Sequence, residues 1–185
     1  MNRALAAAFF AVCAATPALA AHWNVDYAKS NLGFAVQWSG EPFIASFKSW
    51  KADIEFDPND LAHSHVSVAI DLGSETSDSP DNDDGIKGAQ GFQVSQFPGA
   101  RFETTGFEHG NGSDYIADGK LTIHGVTRTI AMPFQLLLSS DTAHMKGRAE
   151  VMRTDFGLGQ GEWASEKPVG HRVIIFVDLV AKKVH

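Results

Sequence analysis

The chain has 185 residues, of which 44% are hydrophobic, with a formal net charge of −7 and a single cysteine. The acidic balance argues against nucleic acid or an anionic membrane surface as a partner, since both attract clustered lysine and arginine. The length suits one domain that buries its own core.

The first twenty residues predict an export signal rather than part of the fold. A short polar start with Arg3 precedes an apolar run over 4–15, and Ala18-Leu19-Ala20 provides the small-residue pattern of a cleavage site. The apolar run is too short to span a bilayer comfortably. A buried N-terminal helix is the structural alternative.

Cleavage before Ala21 would leave one domain over residues 21–185. It would also remove Cys13, so that the mature protein has no thiol and no disulfide, and it would change the net charge to −8 by removing Arg3. We therefore expect a periplasmic, secreted protein.

The first half of the mature chain alternates apolar and polar residues, which is typical of half-buried strands. In one of these runs Leu32, Phe34, Val36 and Trp38 share a face. The pattern predicts strands at His22–Tyr27, Leu32–Trp38, Phe43–Phe47, Trp50–Phe56 and Val66–Leu72.

A segment of different composition, Ser74–Gly99, follows these strands. It is rich in Ser, Asp and Gly and too long for a hairpin loop, so it predicts a surface crossover. We expect a short helical piece around Ile86–Val94 that places Phe92, Val94 and Phe97 over an opening of the sheet.

Strands resume after Pro98. A tight hairpin is predicted at Gly119–Phe134, where Gly125 can adopt a positive φ at the turn, and Pro133 is expected at a strand end or edge. The strands predicted in this half are Ala100–Gly106, Tyr115–Ile123, Arg128–Ser139, His144–Thr154 and Val169–Lys182.

About eight to ten short strands with one short helical crossover indicate an all-β fold. Eight antiparallel strands can close into a barrel that holds one small ligand, and this closed eight-stranded barrel is our predicted fold class. A β-sandwich is the main alternative.

The common nucleophile signatures are absent: there is no Gly-x-Ser-x-Gly elbow, and no cysteine survives processing. Within the acidic run Asp78–Asp84, the cluster Pro80-Asp81-Asn82-Asp83-Asp84-Gly85 resembles a calcium loop. However, when Gly85 takes the sixth position of such a loop, Pro80 and Gly91 fall where carboxylates are required. We therefore interpret the run as a solvated loop, and we predict neither an enzyme nor a bound cofactor.

Four histidines were considered as functional groups. His63 and His65 lie on one face of an extended segment but lack a third ligand nearby, which favours a surface pair over a metal site. His124 and His171 are interpreted as hydrogen-bonded structural residues. The glycines of 157–161 lack dinucleotide-loop spacing and suggest a bend at a barrel rim.

Thirteen Phe and four Trp are present, and many of them lie on alternating strand faces. An ordinary packed core explains any single one. Together, without a charged pair to perform chemistry, they indicate a closed sheet that contains an apolar ligand. The predicted ligand-binding residues are Phe34, Val36, Trp38, Phe47, Trp50, Phe102, Leu121, Ile123, Met132, Phe134, Met152, Phe156 and Trp163.

Several stretches resemble the YceI family of secreted polyisoprenoid-binding proteins, in matching order over nearly all of the mature chain. The segment most similar to that family is the hairpin Gly119–Arg128. The other similar blocks are Trp23-x-Val25-Asp26, Ser30-x-x-x-Phe34-x-Val36, Phe47 to Phe56-Asp57, Phe92-x-Val94-x-x-Phe97-Pro98-x-x-x-Phe102, Arg153–Gly157 and Trp163.

The resemblance implies a lipocalin-like antiparallel barrel whose apolar pore holds an isoprenoid chain, such as a quinone tail or a polyprenyl lipid. It also implies a periplasmic address, and a membrane cytochrome b is a possible partner. The chain departs from the family in having Asp83-Asp84-Gly85-Ile86 where Arg-Asp and then His-Leu are usual, and Gln37-Trp38 where a His is common. These differences affect the polar groups that select a head group.

Three functional hypotheses follow. The leading one is a non-enzymatic carrier of an isoprenoid or similar long-chain lipid, acting as a monomer or homodimer. The alternatives are a secreted enzyme on a hydrophobic substrate, with His124 or His171 and an Asp as acid and base, and an accessory subunit of a membrane quinone or cytochrome b system.

Overall fold

The computed structural model describes residues 20–77 and 79–184 and shows an all-β, antiparallel fold. The predicted export signal lies outside the described residues apart from Ala20, and Asp78 also lies outside them. The described part of the chain contains eleven strands: β1 (Trp23–Val25), β2 (Asn31–Trp38), β3 (Glu41–Phe47), β4 (Trp50–Glu55), β5 (His65–Asp71), β6 (Glu75–Thr76), β7 (Gly99–His109), β8 (Asp114–Ile123), β9 (Val126–Ser139), β10 (Thr142–Met152) and β11 (Val169–Lys183).

The helical elements are short. They are the α-helix α1 (Pro80–Lys87) and 3₁₀ turns at Tyr27–Lys29, Leu61–His63, Leu72–Ser74, Arg153–Phe156 and Gly161–Trp163. Among residues 20–77 and 79–184, no helix is long and apolar enough to cross a membrane.

All strands belong to one curved sheet with the order β4-β5-β7-β8-β9-β10-β11-β2-β3-β6. One edge of the long strand β11 pairs with two different strands. Its first part pairs with β2, whereas its last residues pair with β1, as in Trp23↔Lys183. Its other edge pairs with β10 from Arg172 to Lys182.

The expected closed barrel of eight strands is not confirmed. The sheet has more strands than predicted, and its order has two ends, β4 and β6, that share no ladder. Near one end, β1 approaches β4 through an isolated bridge, His22↔Glu55, and a hydrogen bond from Phe56 N to Ala21 O at 2.9 Å. The curvature therefore nearly closes the sheet here without a continuous ladder.

The predicted hairpin is confirmed. Ile123 pairs with Val126, and the two turn residues His124 and Gly125 have φ values of 53° and 73°. Positive φ at both turn positions is the geometry of a type I′ hairpin, which matches the twist of the flanking strands.

Pro133 lies inside β9 and not at its end as expected. However, the ladder between β9 and β10 stops at Phe134↔Gly147, one residue before Pro133 is reached. Proline has no backbone N–H, and on the β10 side no ladder hydrogen bond requires one at this position. The long strand can therefore contain the proline.

The crossover helix begins and ends earlier in the chain than predicted. The helix α1 covers Pro80–Lys87, whereas the prediction centred it on Ile86–Val94. The sequence contains the start signals for the observed helix: proline in the first turn together with Asp81 and Asp83, and Lys87 in the last turn. The acidic run is therefore largely helical and not a loop.

Candidate functional site: an apolar cavity enclosed by the sheet

The curved sheet encloses a cavity of about 250 Å³ whose wall is apolar. Side chains from strands along the whole sheet line it, from Trp23 on β1 to Ala181 on β11, together with Ile86 of α1 and Phe92 of the crossover. A concave apolar space formed by many elements is the usual form of a small-molecule site.

Twelve of the thirteen residues predicted to bind a ligand line this cavity, and whether they bind one stays a prediction. The twelve are Phe34, Val36, Trp38, Phe47, Trp50, Phe102, Leu121, Ile123, Met132, Phe134, Phe156 and Trp163. Period-2 alternation explains the agreement, because a strand with one buried face directs every second residue inward.

Met152 was predicted to face the pore, and this was wrong. Its side chain is 38% exposed, while its neighbour Val151 lines the cavity. The ladder opposes Val151 to Val173, which also faces inward, so Met152 must face outward. The charged residues Lys146, Arg148 and Glu150 of the same strand share the outward face, and this alternation was visible in the sequence.

One end of the cavity is covered by the crossover. The ring of Phe92 packs at centroid distances of 5.9 Å from Phe34 and 6.1 Å from Phe47. Ile86, which is 5% exposed, adds an apolar contact from α1. These contacts place a mixed helix and turn segment over residues of β2 and β3, as predicted for Phe92. Val94 and Phe97, which were predicted to lie over the same opening, do not line the cavity.

A second segment, Gly157–Pro168, meets the crossover at this end. Gly159 N donates to Gln90 O at 2.9 Å, and the rings of Trp38 and Trp163 contact edge to face at 5.0 Å. The predicted bend is present, with positive φ at the glycines of 157–161. The two segments thus form one cover, which we call the rim.

The buried side chain of Arg153 donates hydrogen bonds to the backbone of the rim. It is 5% exposed, and its guanidinium donates only to backbone carbonyls among the contacts of the described residues. Burial lowers its pKa, with a partial offset from Glu166. The acceptors are the carbonyl oxygens of Leu158, Gly159, Trp163, Ser165, Val169 and Gly170.

The close packing around Arg153 requires glycine at position 159. A Cβ at Gly159 would lie 1.6 Å from Arg153 Nη1, and φ there is 77°. Since Leu158, Gly159 and Trp163 all line the cavity, the guanidinium fixes the shape of its wall. Its role is that of a positioning residue.

A polar cluster lies beneath α1 at the edge of the sheet. Asp83 is 7% exposed and accepts hydrogen bonds from Thr76 Oγ1 at 3.2 Å and from Ser77 N at 3.0 Å. Burial opposes its ionisation, but the hydrogen bonds from Ser77 Oγ, Ser77 N and Thr76 Oγ1, together with the charge of Lys87, outweigh burial and lower its pKa. Asp83 therefore ties α1 to β6, which corrects the interpretation of the whole acidic run as solvated.

Glu75 on β6 completes the cluster and is 1% exposed. Its nearest cation is Lys87 Nζ at 3.9 Å. Burial raises the pKa of Glu75 to about 7, the charge of Asp83 adds to the increase, and Lys87 partly offsets it. Sequence reasoning missed Glu75 because nothing in the local pattern around β6 indicates that a carboxylate is buried there.

The two histidines His63 and His65 have separate contacts. No set of three or more His, Cys, Asp or Glu side chains among the described residues could hold a metal ion. His63 pairs with Asp60, while His65 lies 3.4 Å from Thr104 Oγ1.

The two histidines of the enzyme hypothesis have no aspartate partner within the described part of the chain. His124 Nε2 lies 3.1 Å from Gln93 Oε1, and His171 Nε2 lies 3.1 Å from Ala164 O, with Glu166 at 3.6 Å. These contacts agree with the structural roles predicted for both.

The protein matches a known family over almost the whole described fold. The model of the YceI-like domain matches residues 23–181. The chain belongs to the YceI-like family.

Individual relatives support this membership. The chain is similar to a UPF0312 protein of Vibrio parahaemolyticus, with 31% identity over 138 residues that make up 71% of this chain and 72% of that protein. A UPF0312 protein of Photorhabdus laumondii is 27% identical over 126 residues, which span slightly less than two thirds of its length, at 65%.

Solved structures share the YceI-like fold. BcnA of Burkholderia cenocepacia superposes with a TM-score of 0.83 and 29% identity, covering 86% of this chain and 100% of BcnA. A polyisoprenoid-binding domain from Saccharophagus degradans, implicated in plant cell wall breakdown, has a TM-score of 0.68 and 16% identity, covering 88% of this chain and 98% of that domain. At that identity the second likeness concerns the fold alone.

Proposed function

We propose that this YceI-like protein is a periplasmic, non-enzymatic carrier that holds the apolar chain of an isoprenoid or similar amphiphilic lipid inside the sheet. The observation on which the proposal rests is the cavity of about 250 Å³ with its apolar wall. The polyisoprenoid-binding domain from Saccharophagus degradans, which shares the fold, supports the same class of ligand.

Burial of the lipid tail supplies the binding energy in this proposal. Each buried CH₂ contributes roughly 0.8 kcal/mol, so about ten of them approach the roughly 8 kcal/mol of micromolar affinity before ordering costs are subtracted. Affinity should therefore increase with tail length until the cavity is full and then level off.

The first experiment identifies the natural ligand. The protein is purified from the periplasm and extracted with organic solvent, and the extract is examined for lipid by mass spectrometry. A mass spectrum of the purified protein shows whether residues 1–20 are removed. An isoprenoid in the extract supports the proposal. Recovery of the intact precursor in the cytoplasm contradicts the periplasmic location.

The second experiment uses two adjacent residues of β10 that face opposite sides. Val151 lines the cavity, and Met152 faces outward. Val151→Phe fills part of the cavity and should lower the affinity for the longest tails at a stability cost of about 1–3 kcal/mol. Met152→Phe adds a ring outside and should leave tail binding unchanged, and equal effects of the two variants would contradict the proposed site.

The other hypotheses remain predictions with their own measurements. Turnover of a lipid that depends on His124 or His171 would favour the secreted enzyme, and co-purification with a membrane cytochrome b would favour the accessory subunit. The same extraction tests whether a quinone is the specific ligand. Sedimentation of the purified protein distinguishes a monomer from a homodimer.

A further inference from the structure

Glu75 is directed toward the interior of the sheet. In the ladder between β3 and β6 it lies directly opposite Phe47, whose ring lines the cavity. Directly opposed residues of an antiparallel pair project to the same face. Leu72, three residues before Glu75, and Ile86, one residue before Lys87, also line the cavity. Glu75 and Lys87 do not themselves line the cavity, so the carboxylate lies directly behind the part of the wall that Phe47, Leu72 and Ile86 form.

The carboxylate of Glu75 lacks the hydrogen bonds that a buried group requires. Within the described residues neither Oε1 nor Oε2 has a hydrogen-bond partner. Lys87 Nζ, at 3.9 Å from Oε2, forms an ion pair but is too distant for a hydrogen bond. A buried acceptor without a partner costs roughly 1–3 kcal/mol, so this position favours any ligand that provides a donor.

The spacing of Glu75 and Lys87 matches one hydroxyl group. A hydroxyl oxygen located about 2.8 Å from both Oε2 and Nζ would donate its proton to the carboxylate and accept a hydrogen bond from the ammonium. The buried carboxylate oxygen would then have a donor, and the hydroxyl would bridge it to Lys87 without separating the existing ion pair.

We propose that Glu75 and Lys87 bind the hydroxyl group at the polar end of an apolar-chain ligand, so that the protein prefers long-chain alcohols. The inference rests on the proposed function, because the cavity must hold the chain. It adds a polar end to a site whose wall is otherwise apolar.

The charges around Glu75 exclude the other common head groups. A carboxylate ligand would place a third negative charge beside Glu75 and Asp83, with Lys87 as the single nearby cation that acts on Glu75. An ammonium ligand would compete with Lys87 for the same carboxylate. An ether or ester has no donor, so above about pH 7, where Glu75 is ionised, it leaves the carboxylate unpaired. A neutral hydroxyl avoids all three penalties.

The test compares three probes with the same C20 tail: geranylgeraniol, its methyl ether and geranylgeranoic acid. Each is titrated against the wild-type full chain and against Glu75→Leu, with Glu108→Gln as a control for an exposed glutamate on β7. A hydrogen bond to a charged group predicts that the wild type and the control bind the alcohol at least about 10-fold more tightly than the ether. Glu75→Leu should bind both probes equally.

A second measurement uses only the wild-type protein and therefore does not depend on the folding of the variant. The pKa of Glu75 is followed by NMR of the labelled carboxyl carbon. The alcohol should lower this pKa, since it donates to the ionised form, and the ether should leave it unchanged.

The outcomes separate this inference from the proposed function. If all three probes bind equally well, or if Glu75→Leu keeps the preference for the alcohol, the hydroxyl site is wrong while the cavity proposal stands. If no probe binds, the cavity proposal itself fails.

Discussion

Glu75 makes the stability of the fold depend on pH within a defined window. Folding raises its pKa from 4.5 to about 7, so between these values the folded chain keeps a proton that the unfolded chain has released. With respect to this group, the free energy of unfolding is highest below about pH 4.5 and falls as the pH rises to about 7. Above about pH 7 the free energy of unfolding has decreased by the full contribution of Glu75.

The magnitude follows from the pKa difference. Each unit corresponds to roughly 1.4 kcal/mol, so the shift from 4.5 to about 7 predicts a loss of about 3 kcal/mol across the window. The side chain is fully buried, which keeps solvent screening small. Asp83 and Asp178 have lowered pKa values, so their stabilising contributions are lost only below pH 3.8, outside the window.

The assay is urea unfolding followed by tryptophan fluorescence at several pH values from 4.5 to 8. Glu75→Gln removes the titrating group, so its unfolding free energy should not show the wild-type decrease between pH 4.5 and 7. Glu108→Gln, an exposed control, should keep that decrease. If the wild type and Glu75→Gln show the same pH profile within about 0.5 kcal/mol, the assignment of the buried titration to Glu75 is refuted.

Three further changes test the cluster, the rim and the core. Asp83→Asn replaces one of two buried acceptor oxygens by a donor amide that faces other donors, and it should cost about 1–3 kcal/mol in urea unfolding, whereas Asp81→Asn on the exposed side of α1 should stay within about 0.5 kcal/mol. Arg153→Met leaves several rim carbonyls unpaired and should cost at least about 3 kcal/mol, with faster hydrogen exchange over residues 157–170; unchanged exchange would contradict its positioning role. Phe156→Ala, at a position 1% exposed, should lower the unfolding free energy by about 3–5 kcal/mol, and a cost no larger than that of Met152→Ala would be inconsistent with its buried position.

The sequence was sufficient to identify ten of the eleven strands in the described part of the chain, all except β6, and most inward faces. In β2 the alternation of Leu32, Phe34, Val36 and Trp38 is unbroken, and all four line the cavity. The turn at Gly125 was equally clear, since few residues other than glycine adopt positive φ without a steric cost. Such features depend on contacts between neighbours in the chain, which local patterning reports directly.

Local patterns were less reliable where competing signals were present. For Met152, the large apolar side chain outweighed the alternation of Lys146, Arg148 and Glu150, which points to the opposite face. For α1, the apolar residues after Ile86 favoured a helix later in the chain than the proline and aspartates at which the observed helix begins. In both cases the sequence contains the decisive signal: the alternating charged residues of β10 and the proline and aspartates at the start of α1.

The sequence by itself determined that this chain forms antiparallel strands with one apolar face, and that most of the predicted residues share that face. Only the tertiary structure decided the number of strands, the two unpaired ends of the sheet order, and the burial of Glu75, Asp83 and Arg153. The physical reason is that a period of two fixes which way a side chain points but not which strand lies beside it. Burial of a charge depends on elements packed over it from distant parts of the chain, such as α1 over β6 and the rim over Arg153.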